Sequence, residues 1–103
     1  MTRFYIAGPM TGLPELNFPA FHATAKRLRD AGHEVVNPAE INPDPAAEWT
    51  ACMFEDLKAL TECDSIVMLH GWEQSPGAQI ERLWATRTGK SVLCVTKLDE
   101  VSA

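Results

Sequence analysis

Ser75 and Glu81 carry the first chemical signal in the chain. They lie in Gly71-Trp72-Glu73-Gln74-Ser75-Pro76-Gly77-Ala78-Gln79-Ile80-Glu81, which follows the apolar run Ser65 to Leu69 and leads into Leu83-Trp84-Ala85. Serine is a favoured helix N-cap, and proline suits the first helical turn, where a missing N–H costs nothing. Gly77 leaves room for the backbone to approach a ligand. Glu81 then falls about one turn into a helix that begins at the carboxyl end of a strand, the edge where open α/β sheets bind ligands. A serine and free N–H groups at a helix start suit an anion, and a carboxylate one turn later can act as a nucleophile.

A second carboxylate would complete a catalytic pair, and Asp56 and Asp64 are the candidates. Asp64 opens the third strand, at the amino end of the sheet, and reads as a structural cap. Asp56 lies partway along the preceding helix and can reach the other end. Two carboxylates about 5 Å apart suit double displacement at an anomeric carbon, one attacking and the other serving as acid and base. The plainer readings are a helix-surface glutamate at 81 and a solvated helix charge at 56.

These residues need a scaffold. Thr2 to Ala7 reads as a strand, broken by the loop Gly8-Pro9-Met10-Thr11-Gly12, which matches neither GxGxxG nor a Walker loop. A helix runs from Pro19 to about Ala31, with Asn17 or Phe18 near its cap and Phe21, Ala25 and Leu28 on its buried face. His33 to Val36 is a second strand. The proline-rich stretch from Asn37 to Pro45 reads as a long loop in which helix and strand are both disfavoured. Ala46 to Glu62 reads as a helix with an apolar stripe of Trp49, Met53, Leu57 and Leu60; core packing is the common reading of such a face, and a partner surface at Trp49 and Met53 is the alternative. Ser65 to Leu69 is the third strand, a helix ends near Thr88, and Ser91 to Val95 is the fourth strand. Residues 1–97 are expected to form one domain and 98–103 a polar tail. Strands alternating with helices imply a parallel sheet in a flavodoxin- or Rossmann-like α/β three-layer sandwich, with strand order 2-1-3-4. The switch point then falls between strands 1 and 3, which makes Gly8–Gly12 and Gly71–Glu81 two walls of one crevice.

Composition narrows the function. The 103 residues carry a net charge of -5, which argues against a nucleic-acid polymer as partner. No run is long and apolar enough for a membrane span, and no secretory leader is evident. The three cysteines form no CxxC pair, so a reduced cytoplasmic protein is expected, without metal or other cofactor.

Taken as a set, Phe4-Tyr5-Ile6-Ala7-Gly8-Pro9, Met10-Thr11-Gly12, Asn37-Pro38-Ala39-Glu40, Asp56, Asp64, Gly71-Trp72, Ser75, Gly77-Ala78 and Glu81 resemble the nucleoside 2-deoxyribosyltransferase-like superfamily. They are most similar to its DUF4406 branch, common in phages and bacteria. The resemblance covers Tyr5 to Val95. It implies cleavage of the N-glycosidic bond of a nucleoside or nucleoside 5′-monophosphate through a covalent glycosyl–Glu81 intermediate, released to water or to a second base. In that reading Glu81 is the nucleophile, assisted by Asp56 and Tyr5. Gly8, Pro9, Met10, Thr11, Gly12, Asn37, Trp72, Ser75 and Gly77 bind substrate. Ser75 stands where the family's nucleotide hydrolases contact phosphate and its transferases place an aspartate. Thr11 stands where those hydrolases carry an arginine, and Leu83 where both groups commonly carry a glycine. The resemblance also implies a homodimer or higher homo-oligomer. The alternatives are a non-catalytic nucleotide- or nucleotide-signal-binding protein on the same fold, or a small oligomer whose motifs are structural.

Overall fold

The structure is a computed structural model that describes residues 2–44 and 46–97. Four strands, β1 (Arg3–Ala7), β2 (Glu34–Val36), β3 (Ser65–Met68) and β4 (Ser91–Cys94), alternate with helices α1 (Phe18–Asp30), α2 (Pro38–Ile41), α3 (Trp49–Thr61) and α4 (Pro76–Arg87). All strand pairs are parallel, in the order β2-β1-β3-β4. This is the expected α/β sheet, with β1 and β3 at its centre and the reversal of strand order between them. The expected tail, 98–103, lies outside the described residues.

The period-2 alternation of a strand sends successive side chains to opposite faces. Tyr5, Ala7, Ile66 and Met68 point to one side and pack with Leu60 of α3 and with Ala78 and Ala85 of α4. Phe4, Ile6 and Val67 point to the other, where Phe21, Ala25 and Leu28 of α1 cover them. Three layers result, and Tyr5 faces α3 and α4.

Two expectations from the sequence hold only in part. The proline-rich stretch after β2 is not all loop, because α2 forms its first part. Asn37 accepts a hydrogen bond from the Ala39 N–H at 3.0 Å, and Pro38 occupies the first turn, where proline is tolerated. The stripe on α3 joins the core only toward its carboxyl end, where Leu57 packs against the buried cluster that includes Leu60. Leu60 is buried, but Trp49 is 50% exposed and Met53 and Leu57 are half-buried. The α3 helix itself starts at Trp49, capped by the Glu48 carboxylate, which accepts from the Thr50 and Ala51 N–H groups.

Candidate active site

The crevice lies at the carboxyl ends of β1 and β3, bounded by the loop after β1, the start of α4 and one face of α3, with a volume of about 280 Å³. Its sides are close because Gly8 has no side chain. A Cβ there would come within 2.7 Å of the Leu69 Cβ, closer than real contacts allow, so the first loop can lie against the end of β3 only with glycine. Gly77 serves a similar purpose on the opposite wall, where an added Cβ would meet the Met53 Cε at 3.1 Å.

Tyr5, fully buried on β1, donates its hydroxyl to Glu81 Oε2. Glu81 sits on the buried face of α4 and is only 5% exposed. Burial disfavours its charged form, the Tyr5 hydrogen bond opposes that effect, and the nearby Asp56 charge adds to it. The net result lifts the Glu81 carboxyl to about 8. Asp56 on α3 is also buried, and burial raises its carboxyl to about 6. The Asn42 amide, donating to Asp56 Oδ1 at 3.1 Å, and the Tyr5 hydroxyl both favour the charged form and limit the rise. Tyr5 itself is held well above its usual range, by burial first and then by Glu81 and Asp56. Glu81, Tyr5, Asp56 and Asn42 thus form one coupled group of polar side chains in an otherwise apolar setting.

Ser75 caps α4, its Oγ accepting from the Ala78 N–H at 3.2 Å, while the Gln79 N–H goes to the Ser75 carbonyl. Pro76 has no N–H, which leaves the Gly77 N–H as the donor at this helix start without an intrahelical partner. Gly8, Met10, Thr11, Ser75 and Gly77 line the crevice, together with Asp56 and Glu81. Tyr5, Pro9, Gly12, Asn37 and Trp72 lie outside the lining, Tyr5 being buried beneath it. The Pro9 carbonyl accepts from Asn17 Nδ2 at 3.0 Å, and Gly12 occupies a left-handed turn position with φ +85°. Asn37 is buried, caps α2 and donates to His22 Nδ1 at 3.1 Å. Trp72 packs against the core on the α3–α4 side, with the Arg82 guanidinium 5.0 Å from its ring centroid. Asp64 accepts from the Arg3 N–H at the amino end of the sheet, a structural role.

Several lining residues were not among the site residues expected from the sequence. Trp49, Cys52 and Met53 join Asp56 along one face of α3, at the i, i+3, i+4, i+7 spacing of a single helical stripe. That stripe was visible in the sequence, but an apolar face against a crevice has the same pattern as one against a core. Asn42 and Asp44 come from the segment between α2 and α3, and no local pattern marks them. Leu16 reaches the crevice from a segment in which Glu15, Leu16 and Asn17 all take left-handed backbone, with φ of 52°, 53° and 60°. Such conformations are costly for residues other than glycine and concentrate at functional sites. Among the described residues, no group of three or more His, Cys, Asp or Glu side chains is arranged to hold a metal ion, and no helix is long and apolar enough to cross a membrane.

Residues 2–94 match the family described as "Domain of unknown function (DUF4406)". No curated protein sequence matches the chain. Solved structures share its fold. A 2-desoxiribosyltransferase from Leishmania mexicana aligns at 18% identity and TM-score 0.71, covering 91% of this chain and 63% of its own. A CMP N-glycosidase from Clostridium botulinum, BcmB, aligns at 25% identity and TM-score 0.63, covering 89% and 66%. A 2-deoxyribosyltransferase from Bacillus psychrosaccharolyticus aligns at 24% identity and TM-score 0.69, covering 89% and 70%. The chain therefore spans about two thirds of the length of these proteins, and what it shares with the two deoxyribosyltransferases is the fold.

Proposed function

The chain belongs to the DUF4406 family, and on that footing we propose that it cleaves the N-glycosidic bond of a nucleoside 5′-monophosphate, ribo or deoxyribo, through a covalent glycosyl–Glu81 intermediate. The observation that carries this reading is the buried pairing of Glu81 with Tyr5, beside Asp56, in a crevice at the switch point of the sheet. In the first step the Glu81 carboxylate attacks C1′ and the C1′–N bond breaks. Its electron pair moves onto the base, which takes a proton from Asp56. In the second step the Asp56 carboxylate removes a proton from water, the oxygen bonds to C1′, and Glu81 leaves as carboxylate. A second base in place of water gives transfer. Tyr5 holds Glu81 in position and supports its charged form.

The 5′ end of the ligand is assigned to Ser75, Thr11 and the Gly77 N–H. These are neutral donors, so the phosphate stays largely hydrated and deoxynucleosides should react as well, more weakly. The likeness to a CMP N-glycosidase supports this reading of the ligand. Exposed Phe54, Leu83 and Trp84 on α3 and α4 support assembly as a homodimer or higher homo-oligomer. Three free cysteines, one of them exposed, fit a reducing cytoplasm.

The test is free base released from deoxynucleosides and their 5′-monophosphates, followed by chromatography. Glu81→Ala should abolish release, and release at the wild-type rate from that variant would remove Glu81 as nucleophile. One observation favours the non-catalytic alternative: a Glu81 carboxyl lifted to about 8 is mostly protonated at neutral pH and cannot attack in that form. A thermal upshift with nucleotides but no base release at any pH from 5 to about 9 would decide for binding alone.

A further inference from the structure

Tyr5 stands between the two carboxyls of the crevice. Its hydroxyl donates to Glu81 Oε2 and also hydrogen-bonds Asp56. Among the described residues it is the hydrogen-bond partner of the Glu81 carboxyl, whereas Asp56 has a second partner in Asn42. Tyr5 is fully buried and lies outside the crevice lining, so it meets both carboxyls from beneath, away from a ligand. One further titratable group acts on it, Cys63, whose thiol burial lifts to about 11 and which stays protonated.

The glycosidic reaction needs a charged Glu81 and a protonated Asp56 at the moment of attack. The resting site favours the reverse, because a single proton shared by the pair settles on Glu81, the more deeply buried and weaker acid. That proton has to reach Asp56 before C1′ is attacked, and a ligand filling the crevice displaces the water that could carry it. A phenol hydroxyl can accept one proton while donating another. Burial and the two neighbouring carboxyls keep Tyr5 from ionising, so it hands on a proton only as it takes one up.

We infer that Tyr5 is a proton bridge that converts the resting carboxyl pair into the reacting one. This role rests on the glycosidic reading above and names the path by which that site loads its acid. The step balances. The Glu81 O–H bond breaks and its proton bonds to the Tyr5 oxygen, while the Tyr5 O–H bond breaks and that proton bonds to Asp56. Glu81 is left as a carboxylate, Tyr5 is again a neutral phenol, and Asp56 holds the proton that the departing base takes. The summed charge of the three side chains does not change. Tyr5 touches no atom of the ligand and acts through the two carboxyls, which makes it a positioning residue for the proton.

Tyr5 is the single tyrosine of the chain, so tyrosine labelled with carbon-13 at Cζ reports on this hydroxyl alone. In the ligand-free protein its resonance should move in two steps between pH 5 and about 9, one lost in Asp56→Asn and the other in Glu81→Gln. A single step that Asp56→Asn leaves unchanged overturns the bridge. Single-turnover base release from nucleoside 5′-monophosphates is then followed in mixtures of light and heavy water. With the bridge several protons move together, and the plot of rate against deuterium fraction bows below a straight line. Tyr5→Phe keeps the ring and loses the hydroxyl. It should slow release at least about a hundredfold, the scale of acid–base catalysis, and straighten the plot, because Asp56 then moves one proton alone. A tyrosine that only holds Glu81 in place gives a straight plot in both proteins. Base release with a straight plot in the wild type overturns the bridge and leaves the glycosidic reading intact, whereas no release overturns both. The wild-type plot and resonance decide the matter even where Tyr5→Phe does not fold.

Discussion

Glu81→Gln replaces a titrating carboxyl on the buried face of α4 and keeps an oxygen for the Tyr5 hydroxyl to bond. In the unfolded chain this glutamate loses its proton near 4.5, whereas in the crevice burial holds the proton up to about 8. Between those values the folded protein retains a proton that the unfolded chain has released. Stability from this group is therefore complete below 4.5, falls as pH rises through the interval, and is flat above about 8. At about 1.4 kcal/mol per pH unit, the interval sets a ceiling of about 5 kcal/mol. Water entering an open crevice screens the charge, and about half the ceiling is the expected value. For a domain of this size, about 2.5 kcal/mol corresponds to at least about 10 °C in Tm. The glutamine variant has nothing to titrate at this position. Thermal unfolding of both proteins, followed by circular dichroism from pH 5 to about 9 at fixed ionic strength, should show the variant gaining on wild type as pH rises and the gap levelling off beyond about 8. Asp56 titrates in both proteins and largely cancels in the comparison. A gap independent of pH would refute the reasoning, because it would mean that Glu81 ionises as readily folded as unfolded.

The same two carboxyls set a pH–rate profile. With a charged nucleophile of pKa about 8 and a protonated acid of about 6, kcat/KM should plateau between flanks near those values, with only about 1% of the enzyme in the productive state at pH 7. Tyr5→Phe removes a donor that favours both charged forms, so both flanks should move to higher pH and the plateau should fall by about a hundredfold. Asn42→Ala should move the acid flank, set by Asp56, upward and leave the alkaline flank in place, and rate measurements across pH separate this from a general loss of structure. Gly8→Val puts a side chain where Leu69 already sits and should cost about 1–3 kcal/mol in urea unfolding, whereas Gly12→Ala, with open space around it but left-handed backbone, should cost about 1 kcal/mol.

Much of this site could be read from residue order because its parts are tied to regular elements. Alternating strands and helices limit a short chain to few sheets, and order 2-1-3-4 puts the ends of β1 and β3 together. Ser75 and Glu81 then follow from one capped helix, and Asp56 from the face of another. Asn37 and Trp72 lie outside the crevice lining. One turns its amide to the Ala39 N–H and His22, the other turns its ring to the core, and a motif position does not specify where a side chain points. For Trp49 and Met53 both core packing and an exposed face fitted the sequence, since helical periodicity identifies an apolar face but not what it meets. Asn42 was invisible because its partner is 14 residues away, and the loop that joins them has no period to read.

The stripe on α3 also acts as a ruler. Trp49 and Asp56 lie seven residues apart on one rigid helix, a rise of about 10 Å. The aromatic wall at the rim and the acid at depth therefore keep a fixed separation however the surrounding loops shift. Measured from Asp56 along that axis, a ligand longer than about 10 Å must pass the indole and continue into solvent, where substituents cost little to add. The helix thereby divides any ligand into an inner portion that is gauged and an outer portion that is not.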